Sequence, residues 1–327
     1  MSKQNEHTAS SMESVASTIA RIFGDESNSL GAQLSDTLSR QEELTHSLLS
    51  KPRHTRRIGV ANQKGGVGKT TSAVNLAAAL ADGGLHVLVI DMDPQGNAST
   101  ALGIDHAPGL PSVYDVLEGR KELSDIKQPC PDFSGLDVVP SSIDLSGAEL
   151  EIAGLPNRTT LLRSAMQRDD AINHDSYDYV IVDCPPSLGL LVINALCAVD
   201  EVLIPIQAEY YALEGLGQLL NSIDLIQRHY NPSLVVSTML VTMFDRRTLL
   251  SKEVYQEIKK HYPALVLDTT IPRSVKISEA PSFQKTVIAY DPRGTGAVAY
   301  KEAALEISQR TEDVLGSIDM HREVNEK

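Results

Sequence analysis

A short glycine-rich stretch, residues 62–71 (NQKGGVGKTT), combines three glycines with two lysines and two threonines. Closely spaced glycines let successive backbone N–H groups point at one anion. In such a loop Lys69 reaches the β- and γ-phosphates of a nucleotide, and the Thr70 hydroxyl binds Mg²⁺. The pattern therefore predicts a site for a nucleoside triphosphate and Mg²⁺.

Carboxylates follow two apolar runs elsewhere in the chain. Residues 86–90 lead into Asp91 and Asp93, and residues 179–182 lead into Asp183. The carboxyl ends of parallel strands are where open α/β sheets bind ligands. Asp183 is a candidate to hold Mg²⁺ through its water shell. Asp91 and Asp93 could hold Mg²⁺ in the same way or orient the attacking water, or they could simply form a turn.

These side chains require strands and helices that bring them to one edge of a sheet. Strands are predicted at residues 58–61, 86–90, 179–183, 201–206, 234–242 and 265–271. Helices are predicted at residues 72–82 and at about 212–229, 250–261 and 296–315. Parallel strands need such crossovers, which place helices on both faces of the sheet. The expected fold class is α/β, with a doubly wound, mostly parallel sheet of the P-loop NTPase type.

Composition limits the class of protein. The chain has 327 residues, of which 42% are hydrophobic and 22% charged, as in one large α/β domain with a sizeable core. No apolar run approaches the ~20 residues that span a bilayer, and the start lacks the pattern of a signal peptide. The cysteines (Cys130, Cys184 and Cys197) form no CxxC pair. We therefore expect a cytoplasmic protein.

The first fifty residues differ in character from the rest, being rich in Ser, Glu, Gln and Thr. Apolar residues share a helical face in two stretches: Val15, Ile19, Ile22 and Phe23, and then Leu30, Leu34 and Leu38. Short helices there would either pack on the core or dock a partner. Residues 51–57 form a basic linker that could contact DNA or act as a charged hinge. The expected organisation is an extension (1–56), an ATPase domain (57–316) and a polar tail (317–327).

The net charge of −14 argues superficially against nucleic acid, because affinity for phosphate comes from Lys and Arg. The distribution of charge is uneven, however. Residues 242–301 contain ten basic and six acidic residues. Taken alone, this scatter is typical of a solvated face.

The glycine-rich loop departs from the ordinary pattern G-x-x-x-x-G-K-[ST], because Gln63 replaces the first glycine and Lys64 follows it. Its form K-G-G-x-G-K-[ST] resembles the deviant Walker A group of P-loop ATPases, which includes the ParA, MinD and nitrogenase iron protein families. The resemblance implies that Lys64 crosses a dimer interface to the nucleotide of the other subunit, giving an ATP-dependent homodimer. Spacing alone leaves open an exposed lysine that steers ATP inward. The remaining nucleotide contacts are expected from Gly65, Gly66, Val67, Gly68 and Thr71.

Three segments in the C-terminal third (residues 243–248, 271–282 and 289–292) resemble the chromosomal ParA, or Soj-like, partition ATPases. The likeness covers roughly residues 57–310. It implies an ATP-bound dimer that binds DNA without sequence preference, and a ParB-like, centromere-binding partner that stimulates hydrolysis and releases the protein from the nucleoid. It assigns hydrolysis to Asp93 and the adenine pocket to Pro272. The DNA contacts that it implies are Arg247 and Lys276, with Arg246 and Arg273 beside them.

Other members of the group fit less well. A MinD-like membrane ATPase would need a terminal amphipathic basic helix, whereas residues 320–327 are polar throughout. A nitrogenase-type reductase would need two cysteines per subunit facing the dimer axis. Neither Cys184, beside a strand, nor Cys197, in an apolar helix, is well placed for that. A MinD-like ATPase that positions another cargo, without a membrane, and a plasmid partition ATPase remain the alternatives.

Overall fold

The computed structural model describes residues 30–172, 177–187, 189–210 and 212–310. The first apolar face that the sequence predicts, Val15 to Phe23, lies outside these residues, as does the polar tail. The side chains of Leu30 and Leu34 are also outside the description, whereas Leu38 is partly exposed.

A seven-stranded sheet in the order β3-β4-β2-β5-β1-β6-β7 forms the centre of the molecule. Its strands are β1 (Arg56–Val60), β2 (Val87–Asp91), β3 (Gln128–Pro129), β4 (Leu136–Val139), β5 (Tyr179–Asp183), β6 (Glu201–Gln207) and β7 (Val235–Thr242). Every pairing is parallel except that of the short edge strand β3 with β4. The predicted fold class is confirmed, and β3 and β4 are additions that the sequence did not predict.

Helices cover both faces of the sheet, and each face has its own apolar cluster. The α-helices are α1 (Leu30–His46), α2 (Lys69–Asp82), α3 (Asn97–Ala101), α4 (Val113–Leu117), α5 (Leu123–Ile126), α6 (Leu145–Ile152), α7 (Leu161–Ile172), α8 (Leu190–Ala198), α9 (Ala212–His229), α10 (Leu249–His261), α11 (Val275–Glu279), α12 (Val287–Tyr290) and α13 (Thr295–Gln309). One cluster includes Leu162 of α7 and Leu191 of α8. The other includes Leu76 of α2 and Ala299 of α13.

The strand predicted at residues 265–271 is wrong. The described structure has an isolated bridge at Val266 in this segment instead of a continuous ladder. The backbone N–H groups of Asp268 and Thr269 donate to the carboxylate of Glu306, at 2.8 and 3.1 Å. A side chain of α13 therefore interrupts the ladder, while the N–H groups of Leu267 and Ile271 on either side still donate to β7.

The N-terminal helix α1 packs on the core through α13. Arg40 forms an ion pair with Glu302, and its Nε lies 2.7 Å from the carboxylate. Gln41 donates to the carbonyl of Arg293 at 2.9 Å. For residues 30–46 the structure thus favours packing on the core over a free helix that awaits a partner.

The basic linker ends inside the fold, because Arg56 is the first residue of β1. Its guanidinium is buried and donates to both carboxylate oxygens of Glu201, at 2.8 and 2.7 Å, and to the carbonyl of Ile307 at 2.7 Å. Buried charges are expected to be paired in this way. DNA contact by the linker is therefore wrong for Arg56, which has a structural role at the amino-terminal end of the inner strand β1, opposite the end that carries the glycine-rich loop.

Candidate functional site

The glycine-rich loop joins β1 to α2 and presents its backbone to open space. Gly66 and Gly68 have φ values of +75° and +88°, in the left-handed region that favours glycine. A Cβ added to Gly65 or Gly66 would meet no atom within 4 Å. Helix α2 starts at Lys69, three residues before the predicted start. Its positive N-terminal end therefore points into the space in front of the loop, as an anion site requires.

Two neighbouring strands hold the loop in this shape. The Asn62 side chain donates to the carbonyl of Pro205 on β6 at 2.8 Å and accepts from the N–H of Lys64 at 3.1 Å. The buried Thr242 hydroxyl at the end of β7 donates to the carbonyl of Val67 at 2.8 Å. Neither support had a role in the sequence prediction, although Asn62 lies within the motif itself. Both fix the backbone from behind and leave its front face accessible.

Lys69 is buried at the base of the loop, where its ammonium donates to the carbonyl of Lys64 at 3.3 Å. Burial lowers the pKa of Lys69, and the negative charges of Asp183 and Asp93 oppose this shift. A cation that is already desolvated and oriented loses little on binding a phosphate. The predicted phosphate-binding lysine thus lies close to two of the three predicted acidic residues, Asp183 and Asp93.

Asp91 is buried at the end of β2, and hydrogen bonds occupy its carboxylate. It accepts from the N–H and the hydroxyl of Ser99 on α3, both at 2.8 Å, and from the N–H of Asp93 at 3.1 Å. Burial raises the pKa of Asp91 to about 6, although these hydrogen bonds lower it. These three hydrogen bonds suit a residue that shapes the turn carrying Asp93 better than the Mg²⁺ ligand that the sequence suggested, and metal binding by Asp91 stays a prediction. Ser99 was not predicted, and no sequence motif marks it.

Within the described residues, Asp183 at the end of β5 lacks the hydrogen-bond donors that surround Asp91. Both carboxylate oxygens are buried, and neither has a hydrogen-bond partner in the described part of the chain. Burial, and then the charge of Asp91, raise the pKa of Asp183 well above its ordinary value. A buried carboxylate of this kind is unfavourable unless a cation or donor joins it. Its oxygens therefore fit a hydrated Mg²⁺, with Thr70 as the neighbouring hydroxyl.

The remaining metal ligands would come from the nucleotide and from water. No group of three or more His, Cys, Asp or Glu side chains that could hold a metal occurs among the residues described. Mg²⁺ commonly binds to one or two protein oxygens together with phosphates and several waters. The donor set of Thr70 and Asp183 is therefore the kind that holds Mg²⁺ together with a bound nucleotide.

Sheet register explains why the acidic residues meet the loop. Strand β5 lies between β1 and β2, and Asp183 pairs with Val60 on one side and with Asp91 on the other. Asp93 follows β2 directly, is largely buried, and accepts from the N–H of Gln95 at 3.0 Å. The structure thus brings the predicted phosphate-binding lysine, the predicted metal ligands and the aspartate predicted to act in hydrolysis together at the carboxyl ends of neighbouring strands.

Lys64 lies at the outer rim of this site. Its ammonium is 2.8 Å from the carboxylate of Glu209, and both side chains are about half exposed. Gln207 also donates to Glu209, at 2.5 Å. Within one subunit Lys64 is therefore paired with its own chain. Nothing in the spacing of the sequence pointed to Glu209 as the partner.

The candidate DNA-binding residues lie on the surface beside the end of β7. Arg246, Arg247 and Arg273 line one cavity of about 320 Å³ together with Pro272. Lys276 lies on the adjoining α11, with its ammonium 5.2 Å from the ring centre of Tyr290. Three of the four cations form ion pairs within the described structure: Arg246 with Asp36 at 3.5 Å, Arg247 with Asp245 at 2.9 Å and Lys276 with Glu279 at 3.2 Å. The surface is therefore basic but partly neutralised.

Among the residues described, no helix combines the length and the apolar character that crossing a bilayer requires.

The chain is similar in sequence to an ATPase domain family and to chromosome-partitioning proteins. A family model described as an AAA domain (AAA_31) matches residues 55–236. The chain is 49% identical over 251 residues to the sporulation initiation inhibitor protein Soj of Bacillus subtilis, covering 77% of this chain and 97% of that protein. It is 45% identical over 258 residues to the chromosome partitioning protein ParA of Caulobacter vibrioides (strain NA1000 / CB15N), covering 78% and 95%.

A solved structure shares both the fold and much of the sequence. Cobyrinic acid a,c-diamide synthase from Mycobacterium smegmatis, with bound ATP analogue and magnesium, superposes with a TM-score of 0.65 at 38% identity. The match covers 77% of this chain and 93% of that protein. The neighbour holds the two ligands for which the loop and Asp183 have the matching chemistry.

Proposed function

This chain belongs to the Soj/ParA family of chromosome-partitioning ATPases, and on that premise we propose that its ATP-bound form is a homodimer that binds DNA without sequence preference. ATP and Mg²⁺ are its ligands, and it hydrolyses ATP. In the proposed cycle a ParB-like partner on the DNA cargo stimulates hydrolysis and releases the protein from the nucleoid. Residues 57–316 would form the ATPase domain, with residues 1–56 as an extension.

We propose one task for each residue of the nucleotide site. Backbone N–H groups of residues 65–71 and the Lys69 ammonium hold the β- and γ-phosphates. Thr70 and Asp183 hold Mg²⁺, which neutralises phosphate charge when bound. Asp91 supports this end of the sheet by fixing the turn that carries Asp93. Asp93 orients the water for in-line attack on the γ-phosphate. The adenine contact of Pro272 stays a prediction, because Pro272 lies on the cavity that Arg246, Arg247 and Arg273 also line.

The proposed dimer depends on Lys64. Its pairing with Glu209 is an exposed ion pair, which contributes at most about 1 kcal/mol. A nucleotide phosphate carries more negative charge than one carboxylate and offers several acceptor oxygens. Lys64 can therefore leave Glu209 for the nucleotide of a second subunit when two subunits meet over ATP.

The observation that carries the DNA proposal is the shared location of Arg246, Arg247 and Arg273 on one exposed cavity of an otherwise acidic protein. Two subunits would double the number of phosphate contacts that this surface offers. Because each contact releases counterions, the dimer gains far more affinity for DNA than a monomer has. ATP-dependent dimerisation would thereby switch DNA binding on.

The test is the double variant Arg247→Glu/Lys276→Glu, assayed for binding to random-sequence duplex DNA in the presence of ATP. DNA binding should be lost while ATP-dependent dimerisation is retained, because neither residue touches the glycine-rich loop. The matched control is Arg120→Glu/Arg168→Glu, which makes the same charge change at two other exposed arginines, both of them also paired with acidic residues. Loss of DNA binding in both double variants, or in neither, would overturn the assignment of this surface.

A further inference from the structure

Helix α1 of the N-terminal extension reaches the proposed DNA-binding surface. The Asp36 carboxylate lies 3.5 Å from the Arg246 guanidinium and 3.7 Å from that of Arg40. Asp36 and Arg40 line the same cavity as Arg246 and Arg273. The family model begins only at residue 55, and the Soj match covers 97% of that protein but 77% of this chain. This acidic contact therefore comes from a segment outside the family's matched domain.

Asp36 is held in place rather than carried on a free helix. One turn later, Arg40 forms its ion pair with Glu302 of α13, and Gln41 bonds to the Arg293 carbonyl. Thr37, beside Asp36, is buried. The helix thus fixes a carboxylate at the rim of the cavity, at the place where a DNA phosphate would approach Arg246.

We propose that Asp36 competes with DNA phosphates for Arg246, so that the N-terminal extension weakens DNA binding by the ATP-bound dimer. This inference rests on the proposed function, since it names a regulator of the same surface. A phosphate that binds Arg246 must displace Asp36 or approach it within a few ångströms, well inside the screening length of about 8–10 Å. In either case the carboxylate opposes binding.

The expected size of the effect follows from the exposure of the pair. Both side chains are more than half exposed, so a single contact shifts an equilibrium by a factor of about 1.4 to 5.5. A dimer has two such contacts, and their factors multiply. Removing the Asp36 charge should therefore tighten DNA binding by about 2- to 30-fold, most strongly at low salt.

The experiment compares Asp36→Asn with Glu42→Gln in the full chain with ATP, using random-sequence duplex DNA as the probe. Glu42 is exposed on the same helix but does not line this cavity, so its variant makes the same charge change away from Arg246. Asp36→Asn should bind DNA more tightly than wild type, and Glu42→Gln should not. Thermal unfolding should be nearly the same in all three, because Asp36 is exposed.

A third variant tests the route of the effect. In an Arg246→Gln background, adding Asp36→Asn should produce little further tightening, because the residue for which Asp36 competes is gone. Equal tightening by Asp36→Asn and Glu42→Gln, or tightening that persists without Arg246, would overturn the proposal. Unchanged affinity in Asp36→Asn, in a protein whose Arg247/Lys276 double variant loses DNA, would overturn this inference alone. No DNA binding by either wild type or Asp36→Asn with ATP would overturn the proposed function as well.

Discussion

Asp91 and Asp183 pair in register on neighbouring strands, yet one carboxylate accepts three hydrogen bonds and the other accepts none in the described structure. Two buried carboxylates side by side disfavour each other's ionisation. The two hydrogen bonds from Ser99 stabilise the ionised form of Asp91. The carboxylate of Asp183 has no such donor in the described structure, so a bound cation would stabilise it. Asp91 is therefore suited to shaping the site, whereas the oxygens of Asp183 are available to a metal ion.

Asp183→Asn should raise the unfolding temperature of the nucleotide-free protein, and by more at pH 8 than at pH 5. Burial raises the pKa of Asp183 in the folded state well above the unfolded value of about 3.9. Between those two pKa values the folded state binds more protons than the unfolded state, so stability falls as pH rises. Asparagine has no such proton to lose. Thermal unfolding in EDTA at both pH values checks this.

A shift in unfolding temperature that is equal at pH 5 and pH 8 would show that Asp183 is not the source of the pH dependence. The same variant should bind ATP with a much weaker dependence on Mg²⁺, measured by nucleotide titration across a magnesium series. A wild-type magnesium response would move the metal site away from Asp183.

Lys69→Ala should weaken ATP binding by about 10- to 150-fold, because a charge-assisted hydrogen bond contributes about 1.5–3 kcal/mol. Its fold should survive, since burial already lowers the pKa of this lysine and disfavours its charged form. Isothermal titration and thermal unfolding measure the two effects. Lys121→Ala, an exposed lysine remote from the loop, is the control and should bind ATP as wild type does.

Asp93→Asn is the sharper test of the hydrolytic aspartate than Asp93→Ala. Asparagine can still accept the hydrogen bond from the N–H of Gln95, so the turn is kept while the charge is lost. Both variants should bind ATP, and both should lose turnover by about 10²- to 10⁴-fold, the usual contribution of a group that positions or activates a proton. Phosphate release measures this. If Asp93→Asn turned over ATP normally while Asp93→Ala did not, Asp93 would have only a structural role.

Lys64→Ala should bind ATP and remain a monomer by light scattering. The lost pairing with Glu209 is exposed, so the unfolding free energy should fall by no more than about 1 kcal/mol. A normal ATP-dependent dimer would show that Lys64 acts within its own subunit. That outcome would favour the simpler role, in which it steers ATP inward.

The sequence predicts the elements with strong local signals. Strand β5 has the predicted bounds, and α9 spans residues 212–229 as expected. Helix α2 starts earlier than predicted because Gly68, in the left-handed region, acts as its N-cap. The last helix, predicted at about 296–315, is confirmed from residue 296 to 309 and begins one residue earlier. It ends at its C-cap Arg310, and residues 311–315 of the predicted span lie outside the described residues.

Features that depend on distant partners could not be predicted from the sequence. The segment 265–271 is apolar enough for a strand, but Glu306 accepts from Asp268 and Thr269 in its middle, so the ladder to β7 is interrupted. Arg246 and Asp36 are 210 positions apart, so no local pattern reveals that they pair. The same holds for the support of the loop by Thr242 and for the hydrogen-bonding difference between Asp91 and Asp183. Each of these contacts is set by the order of strands in the sheet or by the docking of α1.

Salt dependence distinguishes a phosphate-binding surface from other modes of association. If Arg246, Arg247, Arg273 and Lys276 of both subunits each contact one phosphate, a plot of log affinity against log salt concentration should have a slope of about −7. The slope is measured by titrating random-sequence duplex DNA at several salt concentrations between about 50 and 200 mM. A slope near zero would exclude binding through these cations.

Co-sedimentation of the wild-type protein with DNA in the presence of ATP, of ADP and of no nucleotide, each with Mg²⁺, measures directly whether ATP switches DNA binding on. We expect the protein to sediment with DNA when ATP is bound and to stay in the supernatant in the other two conditions, because only ATP joins two basic surfaces. DNA binding that is equally tight with ADP would contradict this switch.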